Sequence, residues 1–181
     1  MGLPEMRARL RKDLHDEDPE NYRWTDDELN RHIEHAVREL SLASPLECKA
    51  TLTTTSGSRE LSLSSLDGLV GIEAVEYPVG RYPKSYVRFS QWADKLTLLI
   101  EKTPDGEEDV HVYYGALHTL GQDSSTVPSM LDELVVMGAS AYAAIEWSSY
   151  ATNRVNVGGG DSTPAMSRTP PAHAPCPATA P

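Results

Sequence analysis

The residues best suited to chemistry lie early in the chain. Glu28, His32, His35 and Glu39 are spaced i, i+4, i+7, i+11. On a helix that spacing gives one face of imidazoles and carboxylates, which could hold zinc or iron. The competing reading is a solvated face with Glu–His pairs. A bundle metal site needs Glu-x-x-His from two helices. The late helix offers Glu146 without a histidine three residues on, so the second half is missing. Asp26, Asp27 and Glu28 form an acidic run, but helix capping accounts for all three. Gly158-Gly159-Gly160-Asp161 lacks the Lys-Ser or Lys-Thr and the helix of a phosphate loop, and reads as linker. No serine sits in a G-x-S-x-G turn. His111 and His118 have no partner carboxylate identifiable by spacing, and Cys48 has no nearby histidine, so structural roles are favoured for all three. The expectation is therefore no catalytic residue, no metal and no cofactor.

A second constellation is aromatic and basic. Tyr77, Tyr82, Tyr86, Phe89 and Trp92 interleave with Arg81, Lys84 and Arg88. That pattern could stack single-stranded nucleic acid. It could equally be sheet packing with an exposed loop that contacts another protein. The formal charge of −11 opposes the nucleic-acid reading.

The elements that position these residues follow from period. Residues 4–43 read as two helices. Met6, Leu10 and Leu14 make a narrow stripe over about 4–15. Asp16 to Asn21, with Pro19 inside it, breaks the pattern. Thr25-Asp26-Asp27-Glu28 is a capping box: the Thr25 hydroxyl accepts the Glu28 amide, and the Glu28 carboxylate accepts from the Thr25 amide. Trp24 and Leu29 sit at the positions of a hydrophobic staple. Trp24, Thr25, Glu28 and Leu29 are thus assigned to a structural helix cap, opening a helix over 25–43. Its apolar face is Leu29, Ile33, Ala36, Val37 and Leu40, and Pro45 marks its stop.

The period then switches to two. Strands are expected around Ala50 to Thr54, Leu61 to Leu63, Ile72 to Tyr77, Ser85 to Phe89, Leu96 to Ile100 and Val110 to Tyr114. Together they make a small antiparallel sheet inserted at 49–117, with one covered and one wet face. Thr103-Pro104-Asp105-Gly106 should turn the chain and join the last two strands as a hairpin. Helical period returns over 129–155, with Ser129 as N-cap and Asp132 at N3. The expected buried stripe is Leu131, Leu134, Val135, Gly138, Ala141, Tyr142 and Ile145. The small residues from Gly138 to Ala144 would let another backbone approach closely. The fold class is α+β: a helical bundle with an inserted antiparallel sheet, a single domain over 1–157. Residues 158–181 hold three of the 12 glycines and six of the 13 prolines. They have no apolar stripe, read as a disordered tail and should be dispensable for folding.

Composition narrows the class. Within 181 residues, 27 acidic side chains face 16 basic ones, which argues against a phosphate-gripping surface. No apolar run approaches the ~20 residues of a membrane span, and no signal-peptide core precedes the first helix. Two cysteines, Cys48 and Cys176, exclude a disulfide framework.

The order of elements resembles the head–tail connector (adaptor) proteins of tailed bacteriophages and prophages. The matching residues are Tyr22-Arg23-Trp24-Thr25-Asp26-Asp27-Glu28-Leu29 with Ile33, Ala36 and Leu40. A second block is Val127-Pro128 with Leu131, Leu134, Gly138, Ala139, Ala141 and Tyr142. The likeness covers about residues 4–155. It implies a structural virion protein whose copies form a homo-oligomeric ring, commonly dodecameric, beneath the portal protein. A tail or stopper protein would sit on that ring, and DNA would pass through its channel without specific binding. The neck of the virion, after assembly from host cytoplasm, is the implied location, with no membrane involved. On this reading the polar faces of the two major helices make the subunit contacts. The Tyr82, Tyr86 and Trp92 loop faces outward or toward a neighbour. Where relatives continue in a charged helix this chain has Gly, Pro, Ala and Thr. That composition suggests an out-of-frame stretch, a hypothesis that an intact reading frame in independent isolates would sink. The alternatives are a small cytosolic ligand-binding domain or enzyme, using a pocket between sheet and helices, and a single-stranded nucleic-acid binder.

Overall fold

The structure, a computed structural model, describes residues 1–158. It has three α-helices and two small antiparallel sheets, an α+β fold. The expected tail from residue 159 onward lies outside the described residues. The elements are α1 (Leu3–Asp13), α2 (Asp26–Ala43), β1 (Leu46–Thr53), β2 (Glu60–Ser62), β3 (Leu69–Glu76), β4 (Phe89–Trp92), β5 (Lys95–Leu98), β6 (Asp109–Ala116) and α3 (Asp132–Gly158). A single 3-10 turn, Ser129–Leu131, leads into α3. One compact unit covers Met1–Ile145, and a second begins at Glu146. In the described part of the second, the Trp147 and Tyr150 rings lie 5.5 Å apart, and the Thr152 hydroxyl donates to the Ser148 carbonyl at 2.8 Å.

Two cores hold the first unit. In the helical core, Leu3, Met6 and Leu10 of α1 meet Leu29, Ile33, Ala36, Val37 and Leu40 of α2, with Trp24 beside them. Val135, Val136, Ala139 and Ala143 of α3 close it. The β core gathers Leu61, Leu63, Leu66, Val75, Leu96, Leu98, Val110 and Val112.

The loop between α1 and α2 is organised by a buried arginine. Arg11 donates to Asp16 Oδ2 at 2.6 Å, to Asp26 Oδ1 at 2.7 Å and to the Trp24 carbonyl at 3.1 Å. Asp16 also accepts the Arg23 amide at 2.7 Å. The guanidinium lies 3.6 Å from the centroid of the Tyr22 ring. A charge taken from water this way must be paired and hydrogen-bonded to be tolerated, and this one is.

The strands form two sheets rather than the one expected, in the orders β1-β6-β3 and β2-β5-β4. The expected hairpin at Thr103 to Gly106 is not formed: β5 pairs with β2 and β4, and β6 with β1 and β3. That turn instead meets the Ser56–Ser58 turn. The Gly57 amide donates to the Pro104 carbonyl at 2.9 Å, and the Ser56 hydroxyl to the Asp105 carbonyl at 2.8 Å. Turn residues set a reversal; the strand that follows chooses its partner by burial. The fourth strand is Phe89–Trp92, later than the expected Ser85 to Phe89. Residues 85–88 skirt β3 instead, with the Val87 amide donating to the Val75 carbonyl at 2.9 Å.

The expected stripe of α3 is partly out of phase. Val135 is buried, but so are Val136, Ala139 and Ala143, while Leu134, Ala141 and Ile145 are exposed. Leu131, Gly138 and Tyr142 are half-buried. Residues 134–145 carry no charge at all. Every face of such a helix is apolar or small, so periodicity alone cannot say which one turns inward. Contact with α2 decides: a Cβ on Gly138 would stand 3.3 Å from the Ala36 methyl, and His35 stacks on Tyr142 at 4.1 Å. The outward face of α3 is therefore apolar, not the polar face expected. Ser129 is not an N-cap either; the turn before α3 has no side-chain cap, and Asp132 is buried.

Candidate functional site

The four residues that could have formed a metal face part company. Glu28 is half-buried and committed to the helix start: its Oε2 accepts the Thr25 amide at 2.7 Å and the Thr25 hydroxyl at 2.9 Å. The Glu28 amide donates back to Thr25 Oγ1 at 3.3 Å. The Thr25 amide, then its hydroxyl, hold the Glu28 carboxyl below the usual carboxylate range. Trp24 and Leu29 share the helical core. His32 turns inward and is buried, whereas His35 is exposed and faces Glu39 at 3.8 Å. Asp26 is engaged by Arg11, which is the main cause of its lowered pKa. Among the described residues, no group of three or more His, Cys, Asp or Glu side chains is placed to hold a metal ion.

His118 is a joint. Its amide donates to the Ser41 hydroxyl at 3.0 Å, and its Nε2 lies 3.0 Å from the Ser44 carbonyl. It ties the end of α2 to the chain leaving β6. Gly115 belongs to the same junction, since a Cβ there would stand 2.8 Å from the Pro45 ring.

His111 finds a carboxylate that spacing could not reveal. The β3–β6 register sets it opposite Glu76. The Glu76 side chain is 4% exposed and accepts the Tyr113 hydroxyl at 2.7 Å, with His111 Nδ1 at 3.4 Å and Lys84 Nζ at 3.7 Å. The Tyr113 hydroxyl first, then His111 and Lys84, pull the Glu76 carboxyl below the usual range against the cost of desolvation. Tyr113, His111 and Lys84 thus converge on one carboxylate. The cluster forms a platform. Tyr113 receives Lys84 Nζ at 2.8 Å and the edge of Tyr86 at 6.2 Å between centroids.

On that platform stands the aromatic and basic segment. From residue 84 to 90 its burial alternates, and Gln91 and Trp92 that follow are exposed. Ser85, Val87 and Phe89 are half-buried, while Lys84, Tyr86, Arg88, Ser90 and Trp92 are exposed. Tyr82 is 100% exposed and Trp92 86%. Arg81 is exposed beside them. Tyr77 turns the other way, and its hydroxyl donates to Glu108 at 2.7 Å. Cys48 lines a separate hollow of about 680 Å³ with Glu47, Lys49, Glu73, Tyr113 and Tyr114. No histidine lines that hollow.

The site is thus an exposed aromatic and basic surface on a folded scaffold. The family model described as SU10 adaptor protein matches residues 1–158, and the chain belongs to that family. The resemblance to phage head–tail adaptors drawn from the helix start and the late helix is borne out by that match. Among solved structures, a chain from the "Neck of empty GTA particle computed with C6 symmetry" is similar at 14% identity. The likeness covers 78% of this chain and 77% of that one, with a TM-score of 0.32. No curated protein matches the chain.

Proposed function

We propose that the chain is a structural, non-enzymatic subunit of a phage neck, whose copies form a ring beneath the portal protein and continue the DNA channel toward a tail or stopper protein. The observation that carries this is the adaptor-family match across residues 1–158. The physics supports it. A conduit must let DNA slide, and an acidic wall repels phosphate, whereas a basic lining would release counterions and hold the duplex. The charge of −11 suits that task. Weak association in dilute solution, strengthened when a portal offers many contacts at once, suits a subunit made in the cytoplasm and assembled into the virion. The helix start of Trp24, Thr25, Glu28 and Leu29 is then a stability element rather than a site. The test is to mix the protein with its cognate portal and image the product by electron microscopy. Added ring density is the expected result. A protein that leaves portal rings bare and turns over a small molecule would overturn the reading.

A further inference from the structure

Two apolar surfaces of the first unit are left in water. One is the outward stripe of the 3-10 turn and α3: Met130 is 84% exposed, Leu134 53%, Met137 61% and Ile145 62%. Ala141 is exposed between them. The spacing, i, i+4, i+7, i+11, i+15, keeps these residues on one side of the helix. The other surface is the outward side of the extended segment, with Tyr86, Trp92 and the neighbouring Tyr82.

We infer that these two surfaces are the two halves of one head-to-tail contact, in which the α3 stripe of one copy seats on the Tyr82–Trp92 face of the next. Three observations select a second copy as the occupant. The first is charge. The exposed charge next to the stripe, Glu133, is acidic, whereas the charged residues from 81 to 92 are Arg81, Lys84 and Arg88, all basic and exposed. Opposite signs on two surfaces steer and register their meeting. The second is size. Leu134 to Ile145 runs roughly 17 Å along a helix, and Tyr86 to Trp92 roughly 20 Å along an extended chain. The four large side chains of the stripe present on the order of 500 Å², near the upper end for a lone monomer patch. That falls short of the ~800 Å² per partner of a stable pair, as fits a subunit that closes only in company. The third is number. A two-fold contact uses one patch twice, whereas two unlike patches on one chain make a heterologous contact, which closes into a ring when the rotation allows.

The inference rests on the ring reading and names its interface. The test uses the full chain with Met137→Glu, which spoils the stripe, and Trp92→Glu, which spoils the face. Both positions are exposed, and thermal melts check that each variant folds; Met137→Ser and Trp92→Ser are the gentler pair if either does not. Sedimentation velocity at rising concentration should show the unaltered chain associating and each variant associating at least tenfold more weakly. Mixed in equal amounts, the two variants should form dimers and stop there, because each supplies the half that the other lacks. If the unaltered chain stays monomeric in solution, the same samples are read on portal rings, where the mixture should give pairs and each variant alone should leave gaps. Self-association by Trp92→Glu but not Met137→Glu, with no rescue on mixing, would show a two-fold helix contact and overturn the inference. Oligothymidine binding that Trp92→Glu abolishes, with association intact, would assign the face to nucleic acid and overturn it too. Portal rings that never gain density from the unaltered chain sink the ring reading; rings equally filled by all samples sink only this interface.

Discussion

Helices α2 and α3 pack against each other yet solve opposite problems. In α2 the outer face carries Asp27, Glu28, Arg31, Glu34, His35, Arg38 and Glu39, and the inner face Leu29, Ile33, Ala36, Val37 and Leu40. Its phase is written in charge. In α3 the twelve residues from Leu134 to Ile145 are uncharged, and only Val135, Val136, Ala139 and Ala143 are buried. The two also begin differently. The α2 start is fixed by the Thr25–Glu28 box and by Arg11, Asp16 and Asp26, whereas α3 starts from a 3-10 turn without a side-chain cap. A helix that polar residues phase has one task, to cover its own core. A helix that nothing polar phases has a second apolar face to place.

Breaking the α2 start should have the largest effect. Asp16→Ala strands a buried guanidinium, with Asp26 left as its carboxylate partner, and should cost about 3–4 kcal/mol in urea unfolding. Next, Leu29→Ala empties a fully buried position and should cost about 3 kcal/mol. Leu134→Ala, the same exchange on the outer face of α3, should stay within about 0.5 kcal/mol. Equal costs would erase the contrast between the helices. At the caps, Thr25→Ala should lose about 1 kcal/mol, and Ser129→Ala a few tenths at most.

The smallest effect is a pH dependence. Folding lowers the pKa values of Asp26 and Glu28. Stability from these groups is therefore full above the ordinary carboxylate range and is lost as pH falls through their lowered folded values. Asp26 is exposed and Glu28 only half-buried, so solvent screens both and the slope should be shallow. Thermal midpoints followed downward from neutral pH should fall less steeply in Glu28→Gln, which no longer titrates there. An unchanged profile would show that the box contributes nothing through its charge.

How far the residues spoke in advance depended on how local the determining contact is. The period switch from helix to strand and back was legible, as was the inward face of α2, because both follow from residues within a few positions of one another. The Thr25 box is visible in four consecutive letters. The phase of α3 was not legible, because apolar or small residues occupy every side of it and the choice was made by Gly138 meeting Ala36. The two-sheet arrangement was hidden for a related reason: the turn at Thr103 to Gly106 reads as a hairpin, but its partner across space is Gly57. His111 has no carboxylate nearby in the chain, and Glu76 reaches it across the β3–β6 register. The outward face of residues 84–92 was half legible. Its residue types announced an aromatic and basic patch, while the alternation that turns Tyr86 and Arg88 outward came with the packing of Val87 and Phe89 against the β core.

By itself the sequence determined the α+β class, the start of α2 and the acidic balance, since propensity, capping and charge act over one or two turns of chain. Tertiary structure alone decided which strands pair, that Glu76, His111, Tyr113 and Lys84 meet, and which side of α3 stays in water. Those outcomes depend on the burial of surfaces far apart in the chain, and hydrophobic burial is non-directional: it rewards any apolar face and leaves shape to choose among them.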